Sequence, residues 1–178
     1  MTTVQNQSFL NRRVLKFNIG FLLAQGAGHQ KDIDLDLPRI RVDEDLDLDY
    51  VRGPLRFSRN SRGILIQGDL EASVAAECSR CLTPTSVPVS VSLEELFAYP
   101  PDPEMDYSVD DTGILDLAPL LREETILATP MVIVCHDDCA GLCPICGQNF
   151  NEGTCDCEQE EIDPRLEALR ALKDDDSH

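Results

Sequence analysis

Val51-Arg-Gly-Pro-Leu-Arg-Phe-Ser58 and Gly63-Ile-Leu-Ile-Gln-Gly-Asp-Leu-Glu-Ala-Ser-Val-Ala-Ala-Glu77 frame the loop Arg59-Asn60-Ser61-Arg62-Gly63. Two apolar-rich runs around a short, turn-forming loop read as the two strands of a β-hairpin. Upstream, Ile33, Leu35 and Leu37 alternate with Asp32, Asp34 and Asp36, and Leu46 and Leu48 alternate with Asp45, Asp47 and Asp49. A period of two, apolar on one side and acidic on the other, marks half-buried strands. Downstream, Val87, Val89, Val91 and Leu93 continue the alternation. Val14 to Phe21 is apolar and loosely alternating, so a first strand is expected there.

Two segments carry helical signals. Leu117, Leu120, Leu121, Ile126 and Leu127 fall on one helical face, with Asp116 as a cap and Pro119 in the first turn, where proline is tolerated. Asp163-Pro164 precedes Leu166, Leu169 and Leu172, which predicts a short C-terminal helix. Met131 to Val134 reads as a short strand leading into a run of cysteines. The expected class is α+β: an antiparallel β-sheet or partly open barrel with one or two helices and a C-terminal cysteine-rich zinc-knuckle module. The expected organisation is a β domain over 1–99, an acidic flexible linker over 100–112, and a helix and strand completing the domain over 113–134. A metal module over 135–157 and a short helix with an acidic tail over 158–178 follow.

The chain has 178 residues and a formal net charge of −18. Such an acidic balance opposes broad binding to nucleic-acid phosphates. The charge is uneven, however. Eight acids lie between Asp32 and Asp49, whereas Tyr50 to Gly68 holds Arg52, Arg56, Arg59 and Arg62 and no acid. From charge alone, these four arginines are the candidate RNA-contacting surface. No apolar run is long enough to span a bilayer. The polar Met1 to Asn11 lacks the apolar core of a secretory signal. A cytoplasmic, reducing location is therefore expected.

In that compartment dense cysteines favour metal over disulfides. Cys135, Cys139, Cys143, Cys146, Cys155 and Cys157 crowd the C-terminal third. Cys143-Pro-Ile-Cys146-Gly147 is a zinc-knuckle pattern: two thiolates chelate one ion, and the glycine permits the backbone turn beneath it. Four of the six cysteines suffice for a closed structural zinc site, and the sequence leaves open which two complete Cys143 and Cys146. Cys78 and Cys81 are less clear. They are either small structural residues, further metal ligands, or a dithiol redox pair, although the helix start that would lower a redox thiol's pKa is missing. No motif for nucleophilic, phosphate-loop or metalloprotease catalysis is present, so no enzyme activity and no small-molecule substrate are expected.

Several motifs recur together: Cys78-Ser-Arg-Cys81-Leu; Asp116-Leu-Ala-Pro-Leu-Leu-Arg-Glu-Glu124; Cys139-Ala-Gly-Leu-Cys143-Pro-Ile-Cys146-Gly147-Gln-Asn-Phe-Asn151; Cys155-Asp-Cys157; and Asp163-Pro-Arg-Leu-Glu-Ala-Leu169. In order and spacing this set resembles the YceD family, the large ribosomal RNA subunit accumulation proteins, from about Val14 to Leu172. The resemblance implies a non-enzymatic ribosome-biogenesis factor, bacterial or plastid, acting in 23S rRNA processing or accumulation. Its partner would be precursor 23S rRNA, a basic large-subunit ribosomal protein, or both. The competing expectation is a thiol redox or metal-handling protein working through Cys78 and Cys81.

Overall fold

The computed structural model describes residues 10–157. The polar N-terminal stretch up to residue 9 and the helix expected after Asp163 lie outside the described residues.

The hairpin at the centre of the sequence is the centre of the sheet. β5 (Leu46–Arg59) and β6 (Gly63–Glu77) pair antiparallel, and β7 (Pro84–Ala98) pairs along the whole far edge of β6. The other edge of β5 is shared. Its second half pairs with β3 (Gln30–Leu37), and its first half with β4 (Ile40–Asp43). A two-residue strand, β1 (Leu10–Asn11), adds to β4 in the parallel sense. The sheet is mixed but mainly antiparallel, and it is open rather than closed into a barrel.

Side-chain alternation sorts the two faces. Leu35, Val51, Leu55, Phe57, Ile64, Ile66, Leu70, Ala72, Val89, Val91 and Leu93 point into one core. Strand period is two, so register fixes which set is buried. Where β5 crosses β6, Gly53 sits at φ +142°, and a Cβ there would lie 2.5 Å from the Asp69 carbonyl oxygen. Only glycine fits that approach.

α2 (Ala118–Ala128) packs against β7 and β4 and closes the core with Leu120 and Leu121. It starts later than its apolar pattern suggested, because Ile114–Asp116 forms β8, which pairs with β2 (Lys16–Asn18). Asp116 still serves the helix start, its Oδ1 accepting from the Ala118 N–H at 3.1 Å.

The expected strand over Val14 to Phe21 is broken up. A 3₁₀ turn (Arg12–Leu15) precedes β2, and a one-turn α1 (Gly20–Leu23) follows it. Asn18 ends β2 by turning its side-chain oxygen to the Gly20 N–H. Residues 100–112 are pinned back onto the end of β7. Ala98 exchanges hydrogen bonds with Tyr107 and Val109, Tyr107 stacks on Phe97 at 5.1 Å, and Val109 is fully buried. Met131 to Val134 forms no strand. It runs beside the β6–β7 connection, with the Ser79 N–H donating to the Ile133 carbonyl at 2.7 Å. Among the described residues no helix is long and apolar enough to cross a membrane.

Candidate metal centre and acidic sheet face

The connection from β6 to β7 begins with Cys78-Ser-Arg-Cys81-Leu82, which folds as a tight loop. The Leu82 N–H donates to the Cys78 carbonyl at 2.9 Å, with Leu82 at φ +57°. The later loop Cys143-Pro-Ile-Cys146-Gly147 is built the same way. The Gly147 N–H donates to the Cys143 carbonyl at 2.9 Å, with Gly147 at φ +74°. In both, the left-handed fifth residue lets the chain fold under its own pair of sulfurs.

Each loop acquires a second pair of cysteines. Cys78 and Cys81 meet Cys135 and Cys139, while Cys143 and Cys146 meet Cys155 and Cys157. Within each tetrad the four sulfurs lie within 4.8 Å of one another, and either tetrad could hold a metal ion. The six C-terminal cysteines therefore divide: four close on themselves, and Cys135 and Cys139 go to the distant loop that sequence reading ranked behind them. His136, between two ligand candidates in sequence, is in neither tetrad.

The first tetrad is the more buried. Cys78 is 0% exposed and Cys81 is 5% exposed. Its sulfurs approach to 3.8 Å for Cys78 and Cys139 and to 3.6 Å for Cys81 and Cys135. None of the eight cysteines forms a disulfide. Burial pushes the Cys78 thiol up, but backbone N–H groups of Cys81, Arg80 and Cys135 outweigh it and bring the pKa down to about 6. Burial beside the other sulfurs pushes Cys135 up to about 12. In the second tetrad, the N–H groups of Cys146 and Ile145 lower Cys143 to about 6. There Cys157, against the Cys146 sulfur and partly buried, is pushed up to about 12. Each cluster thus sets a thiol inclined to ionise against one that resists it, Cys78 against Cys135 and Cys143 against Cys157, and in the first the Thr83 hydroxyl lowers Cys81 as well. A bound cation reverses that resistance and deprotonates its ligands.

The four arginines of the Tyr50–Gly68 stretch do not share a surface. Arg52 and Arg56 lie on the outer sheet face, each opposite an acid. Arg52 donates to Glu71 at 2.9 Å, and Arg56 to Asp32 at 2.7 Å. Arg59 lies on the opposite side of β5, its guanidinium donating to the Gly63 carbonyl at 3.0 Å. Arg62 is exposed in the hairpin loop. Cross-strand register instead gathers carboxylates. Asp32, Asp34 and Asp36 on β3 face Arg56, Pro54 and Arg52 on β5, and Asp69 and Glu71 on β6 and Glu94 on β7 continue the same face. Asp32, Asp34, Arg56, Gln67 and Asp69 line a shallow groove of about 530 Å³. Sequence reading treated these acids strand by strand. The face they form together depends on register.

A family model described as Large ribosomal RNA subunit accumulation protein YceD matches residues 66–173. An uncharacterized protein of Mycobacterium tuberculosis is 38% identical over 145 residues, covering 77% of this chain and 66% of that protein. An uncharacterized protein of Mycobacterium leprae is 32% identical over 102 residues, 54% of this chain and 47% of its own length. The uncharacterized protein YlbN of Bacillus subtilis is 29% identical over 133 residues, 71% of this chain and 76% of its own. The chain thus spans slightly less than two thirds of the Mycobacterium tuberculosis relative. No solved structure matches it.

Proposed function

The chain belongs to the YceD family, the large ribosomal RNA subunit accumulation proteins, and we propose that it supports accumulation of 23S ribosomal RNA by docking, without catalysing a reaction. The partner we assign is a basic protein of the large subunit, met by the outer face of the sheet in the cytoplasm. The observation that carries this reading is the charge on that face. Asp32, Asp34, Asp36, Asp69, Glu71 and Glu94 outweigh Arg52 and Arg56, and both arginines are already engaged by carboxylates. Such a surface repels a phosphate backbone. It attracts a basic protein, speeding encounter and suppressing wrong contacts.

In this reading the C-terminal tetrad, Cys143, Cys146, Cys155 and Cys157, holds a structural zinc ion. Four thiolates close a tetrahedral site and leave no open position for chemistry. The burial of Cys78 and Cys81 speaks against a dithiol that exchanges electrons with outside partners, since a reactive thiol needs access.

The test is affinity capture of the full chain from growing cells, with protein and RNA both identified. A basic large-subunit protein should be retained after nuclease treatment and released as salt rises, because screening weakens exposed charge pairs. Capture of ribosomal RNA alone, lost on nuclease treatment, would replace the protein partner with direct contact to precursor 23S rRNA.

A further inference from the structure

We infer that Cys78, Cys81, Cys135 and Cys139 form a second metal site, distinct from the C-terminal tetrad, whose ion fastens the segment after α2 to the β6–β7 connection. The ligand is a soft divalent cation of tetrahedral preference, zinc above all. The inference does not depend on the docking partner proposed above.

Sulfur spacing is the first support. A tetrahedral zinc tetrathiolate with Zn–S near 2.3 Å has sulfur–sulfur edges of about 3.8 Å, and here Cys78 lies 3.8 Å from Cys139 and Cys81 3.6 Å from Cys135. A second support is the set of donors aimed at the sulfurs. The Arg80 N–H lies 3.5 Å from Cys78 Sγ, and the Asn151 side-chain amide donates to Cys139 Sγ at 3.4 Å. Outer-shell donors of this kind orient metal ligands. The Arg80 guanidinium also donates to the carbonyls of Asp137 and Cys139 at 3.3 and 3.1 Å. It brings positive charge to a site where four thiolates and one divalent ion leave a double negative charge.

The third support is what else is available to hold this segment. Among the described residues, Val134 and Leu142 are the apolar side chains that join the cysteines in this cluster. Gly141, at φ +76°, comes so close that a would-be Cβ would lie 3.2 Å from the Arg80 carbonyl oxygen, so the two segments meet here backbone against backbone. So small a cluster stabilises little, and small modules in this position rely on a metal. The first tetrad also joins residues far apart in sequence. Its ion would close the hairpin connection onto the chain 54 or more residues later.

Native mass spectrometry of the full chain decides the matter. Two zinc ions per chain are expected. Cys81→Ser with Cys135→Ser should leave one and expose residues near 130–142 to limited proteolysis. Cys146→Ser with Cys157→Ser should also leave one, with that region still protected. Cobalt loaded into this last variant should give the intense sulfur-to-cobalt charge-transfer bands of a tetrathiolate. One zinc in the wild type, unchanged by the Cys81 and Cys135 substitutions, would overturn the second site and leave the C-terminal one standing. No zinc at all would overturn both. Cobalt bands lacking tetrathiolate intensity would also overturn the second site.

Discussion

Leu82 and Gly147 occupy equivalent places in two separate Cys-x-x-Cys loops. Each is left-handed, at φ +57° and +74°, and each donates its N–H to the carbonyl of its loop's first cysteine at 2.9 Å. One loop follows the common glycine solution. The other holds a leucine, more than half exposed, in a conformation that L-residues avoid. The shared turn, more than the shared cysteine spacing, makes the loops equivalent.

Leu82→Gly should therefore be tolerated. It relieves a left-handed cost of about 1 kcal/mol, while the freer unfolded chain costs a similar amount. Leu82→Pro should lose the metal of the first tetrad, because proline can neither reach positive φ nor donate the N–H. Zinc content of the two purified variants checks the contrast.

Gly53→Ala should destabilise the sheet by about 1–3 kcal/mol, since the backbone is held where only glycine rests and the added carbon meets the Asp69 carbonyl. Urea unfolding followed by circular dichroism reads the change. A loss of a few tenths would mean that β5 and β6 can part there without penalty.

Asp110 gives a pH signature. The Thr112 hydroxyl, then the Ile114 N–H, hold its carboxyl below the ordinary value of 3.8. A depressed carboxylate stabilises the fold above its unfolded pKa and loses that contribution as pH falls through the lower folded value. Asp110→Ala should thus lower the thermal midpoint at neutral pH, and the gap from wild type should close below about pH 4. A gap that widens on acidification would reverse the assignment.

Asp34→Lys with Asp69→Lys should leave the fold intact, because both side chains are exposed on the outer face, and such surface changes are usually within about 0.5 kcal/mol. Binding to the basic partner should weaken by about tenfold or more, as like charges then meet across the contact. Calorimetry or an optical biosensor at low salt measures it. Equal affinity would move the interface elsewhere.

Much of the sheet was legible because period two is a local signal. Asp32 to Leu37 and Val87 to Leu93 announce their faces residue by residue, and the hairpin around Arg59–Gly63 falls within two residues of its expected place. Val14 to Phe21 departs from a single strand because Asn11 caps the 3₁₀ turn before β2 and Asn18 ends β2, through side-chain bonds that composition does not signal. Residues 100–112 hold few large apolar groups, and two of them, Tyr107 and Val109, pack onto the end of β7. At the cysteines, glycine made the later loop recognisable, and leucine in the same place disguised the earlier one. That Cys135 and Cys139 turn back to Cys78 and Cys81 is a tertiary event, set by the path from β7 through α2, and no short-range spacing encodes it.

The most direct measurement of the proposed role is the ratio of 23S to 16S ribosomal RNA in cells depleted of this protein. The ratio should fall on depletion and recover when the full chain is restored. An unchanged ratio, with growth and both RNAs intact, would contradict that role.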